Sequence, residues 1–372
     1  MLVQCEQPET GIEPGRIPAS VPAEGASVSV VEPVDPLAMP DWDNWVARMD
    51  GVTVFHTTAW LRVLRDTYGH QFMGLCLRQA NRCVGLLPLA EVNSLLTGRR
   101  GVSLPFTDFC PALTKPEADP SKLWLEALRV ARARGWRSLE LRDPRLGLPK
   151  LQPSLQFYAH KLDLNRGAEN VLSRMDGAFR RALRKAESSG LKPEISCSIH
   201  ALEDYYRLHC MTRRRHGLPP QPWRFFQNIA RHLLAQDFGM VVLVRKDQTP
   251  VAGAVFLHFG QCAIYKYGAS DMAAQQHRPN NLVMWTAIRY YCTRAYTLLH
   301  LGRTSLGNEG LRRFKAGLGA AEEPLAVYRI QPDTGRTLAL QDLTEGWHTR
   351  IFRRMPPALL RWSGAMLYPH LD

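Results

Sequence analysis

The chain has 372 residues, with Lys+Arg 47 against Asp+Glu 34 and a formal net charge of +13. Its 45% hydrophobic and 22% charged residues exclude low-complexity, collagen-like and coiled-coil classes and leave room for two or three domains. A basic surplus of this size favours anionic partners: phosphates, nucleic acid or an acidic membrane face.

Residues 1–40 carry seven prolines and no aromatic residue. Six acids against one arginine make this stretch −5, which leaves +18 on the remainder. Such a segment cannot bury enough apolar surface to offset its ordering entropy, and is expected to be a disordered tail. Its start has no basic region followed by an apolar block and does not read as a secretory signal. From Asp41 the pattern predicts two short helices, 41–49 and 57–68. Strands follow over 71–77, 82–91 and around Val102, then a helix over 120–135 with Leu123, Ala127 and Val130 on one face. Strands are expected at 137–141 and 157–164. An apolar stripe from Val171 to Ala186 predicts one helix over 169–190, ended by Gly190. A strand at 192–198, helices at 200–216 and 222–234, and strands at 240–245, 251–259 and 262–269 come next. Helices at 279–294 and 309–316 alternate with strands at 297–301 and 325–330. No apolar run approaches the roughly 18–20 residues that span a bilayer. The eight cysteines include no CxxC pair and no histidine pair at finger spacing, so no metal site is read and buried thiols in a reducing cytoplasm are expected.

The two halves repeat one order of elements. Arg82–Leu89 aligns with Thr249–Phe256, the helix ending at Gly135 with the helix ending near Ala295, and Trp136–Leu141 with Tyr296–Leu301. This reads as a tandem duplication of one α/β unit.

The repeated order is similar to the GNAT acyltransferase domain, and two such domains in one chain resemble the FemAB family of aminoacyl- and acyltransferases. Four stretches within 41–335 carry the resemblance: Gly85–Leu89 leading to Val102–Asp108, Phe179–Gly190, Met211–Pro220, and Leu301-Gly-Arg303 followed by Gly310-Leu-Arg-Arg-Phe-Lys-Ala-Gly317. The expected architecture is α/β (α+β), with two tandem GNAT-like units, each a mixed sheet flanked by helices. The divisions are a tail at 1–40, a first unit at 41–165, a second unit with the active site at 166–335, and a helical extension at 336–372.

The resemblance implies transfer of an acyl or aminoacyl group onto an amine of an envelope, peptidoglycan or exopolysaccharide precursor. A CoA-dependent N-acetyltransferase and a non-catalytic module binding RNA or anionic lipid are the alternatives. An amine attacking an ester or thioester needs both substrates held together, donors for the oxyanion and removal of a proton. No covalent nucleophile is required, and no nucleophile elbow is present. By resemblance Lys315 neutralises charge near the acyl group, with Phe314 beside it. Asp108 is a candidate base or amine anchor. Arg213, Arg215 and His216 end a helix and suit an anion clamp. Arg303 follows a strand end, and family members often carry a small residue there. Tyr265 and Tyr267 are read as sharing one strand face. Arg278, Asn280 and Asn281 stand at a helix start and are candidate donors to a phosphate. The stretch 268–281 lacks the glycine-rich pattern of CoA-binding relatives, so aminoacyl-tRNA or a carrier protein stays open beside acyl-CoA as donor. The acceptor is expected to be a small molecule or lipid-linked, and the protein cytoplasmic. The alternation of cations and bulky apolar residues over Ile351–Trp362 reads as a terminal helix or an interfacial anchor at the inner membrane face.

Overall fold

The computed structural model describes residues 29–80, 82–148, 151–340 and 347–371. In chain order the elements are β1 (Ser29–Val34), α1 (Trp42–Val46), α2 (Thr58–Tyr68), β2 (Gln71–Gln79), β3 (Arg82–Ser94), β4 (Gly98–Val102), β5 (Leu113–Thr114), α3 (Pro120–Ala133), β6 (Leu139–Arg142) and β7 (Leu155–Asp163). Then come α4 (Gly167–Arg174), α5 (Gly177–Glu187), β8 (Lys192–Ser196), α6 (Ile199–Arg215), α7 (Trp223–His232), β9 (Gly239–Lys246), β10 (Thr249–Phe259), β11 (Cys262–Ser270), α8 (Pro279–Thr293), β12 (Leu298–Ser305), α9 (Glu309–Gly317), β13 (Ala321–Ile330), α10 (Trp347–Arg354) and α11 (Pro357–Leu367).

The strands form one sheet in the order β1-β2-β3-β4-β6-β13-β7-β12-β11-β10-β9-β8, with β5 joined to β3. Read from both ends, this order is the same unit twice: β1 to β4 and β6 answer β8 to β12. The aligned segments 82–89 and 249–256 fall on β3 and β10, so the repeat visible in the sequence is a repeat in space. The last strands are traded. β7 follows the first unit but pairs with β12 of the second, while β13 follows the second and pairs with β6 of the first. The seam between the halves is the antiparallel β7–β13 pair. A division at 165/166 therefore crosses a continuous sheet.

Side-chain alternation splits the core between the faces. On β9, Val241 and Leu243 face a cluster with Phe225 and Phe226 of α7 and with Trp60 and Leu64 of α2, while Met240, Val242 and Val244 face α5 and α8. The first cluster draws on both halves, so the units share one apolar core. His232 Nε2 meets Asp66 Oδ2 at 2.7 Å where α7 crosses α2.

Two expectations from the sequence change. Residues 1–28 lie outside the described residues, but Ser29–Val34 is ordered as the edge strand paired with β2, so the tail cannot extend to 40. β1 ends the sheet, and an edge strand tolerates Pro33 because the ladder can spare the N–H that proline lacks. The single helix read over 169–190 is two. Met175 is extended, and Asp176 caps a fresh helix by accepting from the Phe179 N–H. The Asp-Gly pair at 176–177 was the local signal, masked by an apolar stripe that continues across the break.

Candidate acyl-transfer cavity

β11 and β12 pair in parallel only from Cys262–Leu298 to Ile264–His300 and then separate. Both strands bulge at the point of separation. On β11 the register passes from Tyr265 opposite Phe256 to Tyr267 opposite Val255, which leaves Lys266 as the extra residue. On β12 it shifts between His300 and Arg303, with Gly302 at φ +71°. The opening holds a cavity of about 490 Å³, bordered by both strands, the N-terminus of α8, the C-terminus of α6 and α9.

Asp108 reaches this cavity from the first half, in the loop after β4. Its Oδ2 lies 3.3 Å from Lys266 Nζ and its Oδ1 lies 4.0 Å from Arg303 Nε. Burial pushes the Asp108 carboxyl up, but Lys266, then Arg303, Lys315 and His300, outweigh it and leave the group below its ordinary range. It is a held carboxylate and a weak base. Lys266 is itself lowered by burial, with Asp108 opposing. Its ammonium stands 5.5 Å from the Phe55 ring centre and 4.9 Å from that of Tyr267. A β-carbon on Gly302 would stand 3.3 Å from Asp108 Oδ2, so the glycine serves both the backbone turn and the carboxylate's place.

Lys315 is 3% exposed. Its Nζ donates to the carbonyls of Gly302 at 3.3 Å and Arg303 at 3.1 Å and to Thr304 Oγ1 at 2.8 Å. All three ammonium protons are engaged with β12. Burial lowers its pKa to about 8, with Asp108 pulling it back up. The lysine therefore clamps the bulge and supplies positive charge beneath the cavity.

Of the residues expected from the sequence, Asp108, Arg215, His216, Tyr265, Asn280, Arg303, Phe314 and Lys315 meet at the cavity. Arg213 does not: it donates to the Pro219 carbonyl and to the Tyr368 hydroxyl, tying α6 to the chain end. Tyr265 and Tyr267 do not share a face. The bulge at Lys266 reverses the alternation, so Tyr265 packs on Phe256, its ring lying where a side chain on Gly268 would stand, while Tyr267 packs between Phe225 and Phe226. Arg278 and Asn281 border a second hollow of about 600 Å³ together with Arg181, Lys185 and Arg313, and Phe314 is a wall common to both. Sequence reasoning missed Lys266. A lysine inside the apolar and aromatic run Ala263–Tyr267 was its signal.

The family model described as "Acetyltransferase (GNAT) domain" matches residues 173–316. The crystal structure of FemX is similar at 14% identity and a TM-score of 0.60, covering 77% of this chain and 94% of that one. A conserved protein of unknown function from Bacteroides thetaiotaomicron is 10% identical at 0.56, covering 81% and 99%. A tandem GNAT protein from the clavulanic acid biosynthesis pathway is 12% identical at 0.50, covering 82% and 99%. No curated protein matches in sequence. At these identities the solved structures share the fold, and the domain match falls on the half that contributes most of the cavity wall. Residues 173–316 of the chain therefore carry a GNAT acetyltransferase domain, the mark of a transferase, within a fold shared with FemX and the tandem GNAT protein.

Proposed function

We propose that this chain is an N-acyltransferase or aminoacyltransferase acting on an amine of a cell-envelope, peptidoglycan or exopolysaccharide precursor, with the second unit carrying the active site. The observation that supports it is the convergence of Asp108, Lys266, Arg303 and Lys315 on one cavity where β11 and β12 part. The amine nitrogen attacks the carbonyl carbon of an ester or thioester. A C–N bond forms, the C–O or C–S bond breaks, and an amine proton ends on the leaving oxygen or sulfur. Asp108, held ionised, anchors the incoming ammonium. His216, whose pKa is lowered by burial and by Arg215, is neutral near pH 7 and is the wall group suited to take the proton. Lys315 and Arg303 bias the field toward the developing oxyanion. The donor phosphates of acyl-CoA or aminoacyl-tRNA fit the basic hollow beside Phe314, where Arg181, Lys185, Arg278 and Arg313 stand. Either would be a co-substrate rather than a resident group. The acceptor would be a small molecule or lipid-linked, met by a cytoplasmic protein at the inner membrane face. No helix among the described residues is long and apolar enough to cross a membrane.

The test is a donor screen read by mass spectrometry, with acetyl-CoA, aminoacyl-tRNA and acyl carrier protein offered to amine acceptors. Transfer that Asp108→Ala abolishes without unfolding the chain supports the reading. Salt-steep RNA or lipid binding with no transfer from any donor overturns it in favour of a non-catalytic module. The acetyltransferase description of the matched domain favours acetyl-CoA as a second reading, which saturable binding in calorimetry would select.

A further inference from the structure

α11 turns two different faces to its surroundings. Leu360, Gly364 and Tyr368, four residues apart, face inward. Gly364 lies so close to the Pro220 carbonyl that a β-carbon would stand 2.1 Å from it, and the Tyr368 hydroxyl donates to the Pro219 carbonyl at 3.2 Å. The helix is thus fixed on the end of α6. Its outer face carries Leu359, Trp362 and Met366, at i, i+3 and i+7, all more than half exposed, with Trp362 at 65%. Ile351 of α10 is also exposed. Among these apolar groups stand Arg350, Arg353, Arg354 and Arg361, and residues 347–371 contain no acid.

A second observation comes from the other half of the chain. Leu95 and Leu96 form the tip of the β3–β4 turn, 97% and 68% exposed. Arg100 donates to Thr97 at that tip and to the carbonyl of His370 at 2.9 Å, which binds the tip to the turn that follows α11. Among the described residues nothing covers these two leucines.

We propose that α10, α11 and the β3–β4 tip form one docking surface for an anionic phospholipid bilayer. The charge decides the occupant. An outer face of Leu, Trp and Met flanked by four arginines, with no acid in residues 347–371 and with Glu203 of α6 at one edge of the hollow beside Trp362, matches an interface with acyl chains below and phosphates above, where Trp sits at headgroup depth. Arg215 borders both the transfer cavity and the hollow between α6 and α11, so a bilayer held there lies beside the cavity. The proposal does not depend on the transfer reading, since it is read without donor or acceptor.

The experiment is flotation of the full chain with phosphatidylcholine vesicles containing phosphatidylglycerol, against pure phosphatidylcholine. Binding to the anionic vesicles is expected, weakening with salt. Arg353→Glu with Arg354→Glu, and separately Leu359→Ser with Trp362→Ser, should each weaken it about tenfold or more. Leu95→Ser with Leu96→Ser should also weaken it and tests the face from outside the terminal helices. All six positions are exposed, so melting temperatures should hold. Absence of vesicle binding, or equal binding by every variant, overturns the proposal. So does salt-steep RNA binding lost in the arginine pair without vesicle binding. A dimer by light scattering that Leu359→Ser with Trp362→Ser dissolves would assign the face to a second copy and overturn it too.

Discussion

In the first half, β4 and β6 pair in parallel over Gly101–Leu139 and Val102–Glu140 and then part. In the second, β11 and β12 pair over three residues and part in the same way. The first opening is filled. Residues 103–112 fold back into it: Ser103 N–H donates to the Glu140 carbonyl, Cys110 N–H to the Arg142 carbonyl, and Arg142 Nη1 to the Thr107 carbonyl at 2.9 Å. Beneath the loop, Arg142 and Glu140 form a buried ion pair at 2.8 Å, and Arg329 of β13 closes on the other carboxylate oxygen. The second opening stays hollow. Asp108, on the loop that closes the first, projects into the second. A duplicated cleft has become a plug, and the plug delivers a carboxylate to the copy that remained open.

Six substitutions at five positions can break or sharpen this contrast. The largest effect on stability is expected from Arg142→Met in the filled opening. It removes one of the two guanidinium partners of the buried Glu140 carboxylate, leaving only Arg329, and should cost about 3 kcal/mol in urea unfolding. Burial raises Glu140, but Arg142 and Arg329 hold it down at about 2. Its contribution is therefore present above about 4.5 and lost as pH falls toward 2, and acid titration of the intact chain should trace that loss. In the open cleft the largest effect is on rate. Asp108→Asn should lower kcat/KM by about 10²–10³, and because it leaves the buried Lys266 ammonium without its carboxylate it should also lower the melting temperature, though less than Arg142→Met does. If both variants lose stability equally, the open cleft is structural too.

Lys315→Met leaves two carbonyls and a hydroxyl without their donor and should cost about 1–3 kcal/mol as well as rate. With pKa about 8, the native lysine is charged below that value, so transfer should decline above pH 8, and Lys315→Arg should remove the decline. Stability moves oppositely: between about 8 and 10.5 the unfolded chain holds this proton and the folded chain does not, so its contribution grows as pH rises. The smallest effect is expected from Tyr267→Phe. The Tyr267 hydroxyl is buried with no hydrogen-bond partner among the described residues, so its removal should be neutral or slightly stabilising in thermal melts. Tyr265→Phe, on the cavity side of the bulge, should instead change KM.

What the sequence revealed followed the range of its signals. Apolar periodicity located β3, β10, α3 and α8, and internal repetition paired them across the halves. Lys315 and Asp108 were visible through a motif and a loop. The trade of β7 and β13 was invisible because it depends on pairing between residues far apart. The opposite facing of Tyr265 and Tyr267 was missed because a bulge is a property of two strands, not of one. Arg213 was read as an anion clamp because three successive arginines look alike in sequence. Only the packing of Tyr368 and Pro219 separates Arg213 from Arg215.

The traded strands have a further consequence. A protease nick in the link after β7 would not release two independent pieces, because each fragment keeps a strand that completes the other's sheet. The fragments should remain clasped through native conditions and separate only in denaturant. By the same logic, either half expressed alone should present an unfinished sheet edge and aggregate.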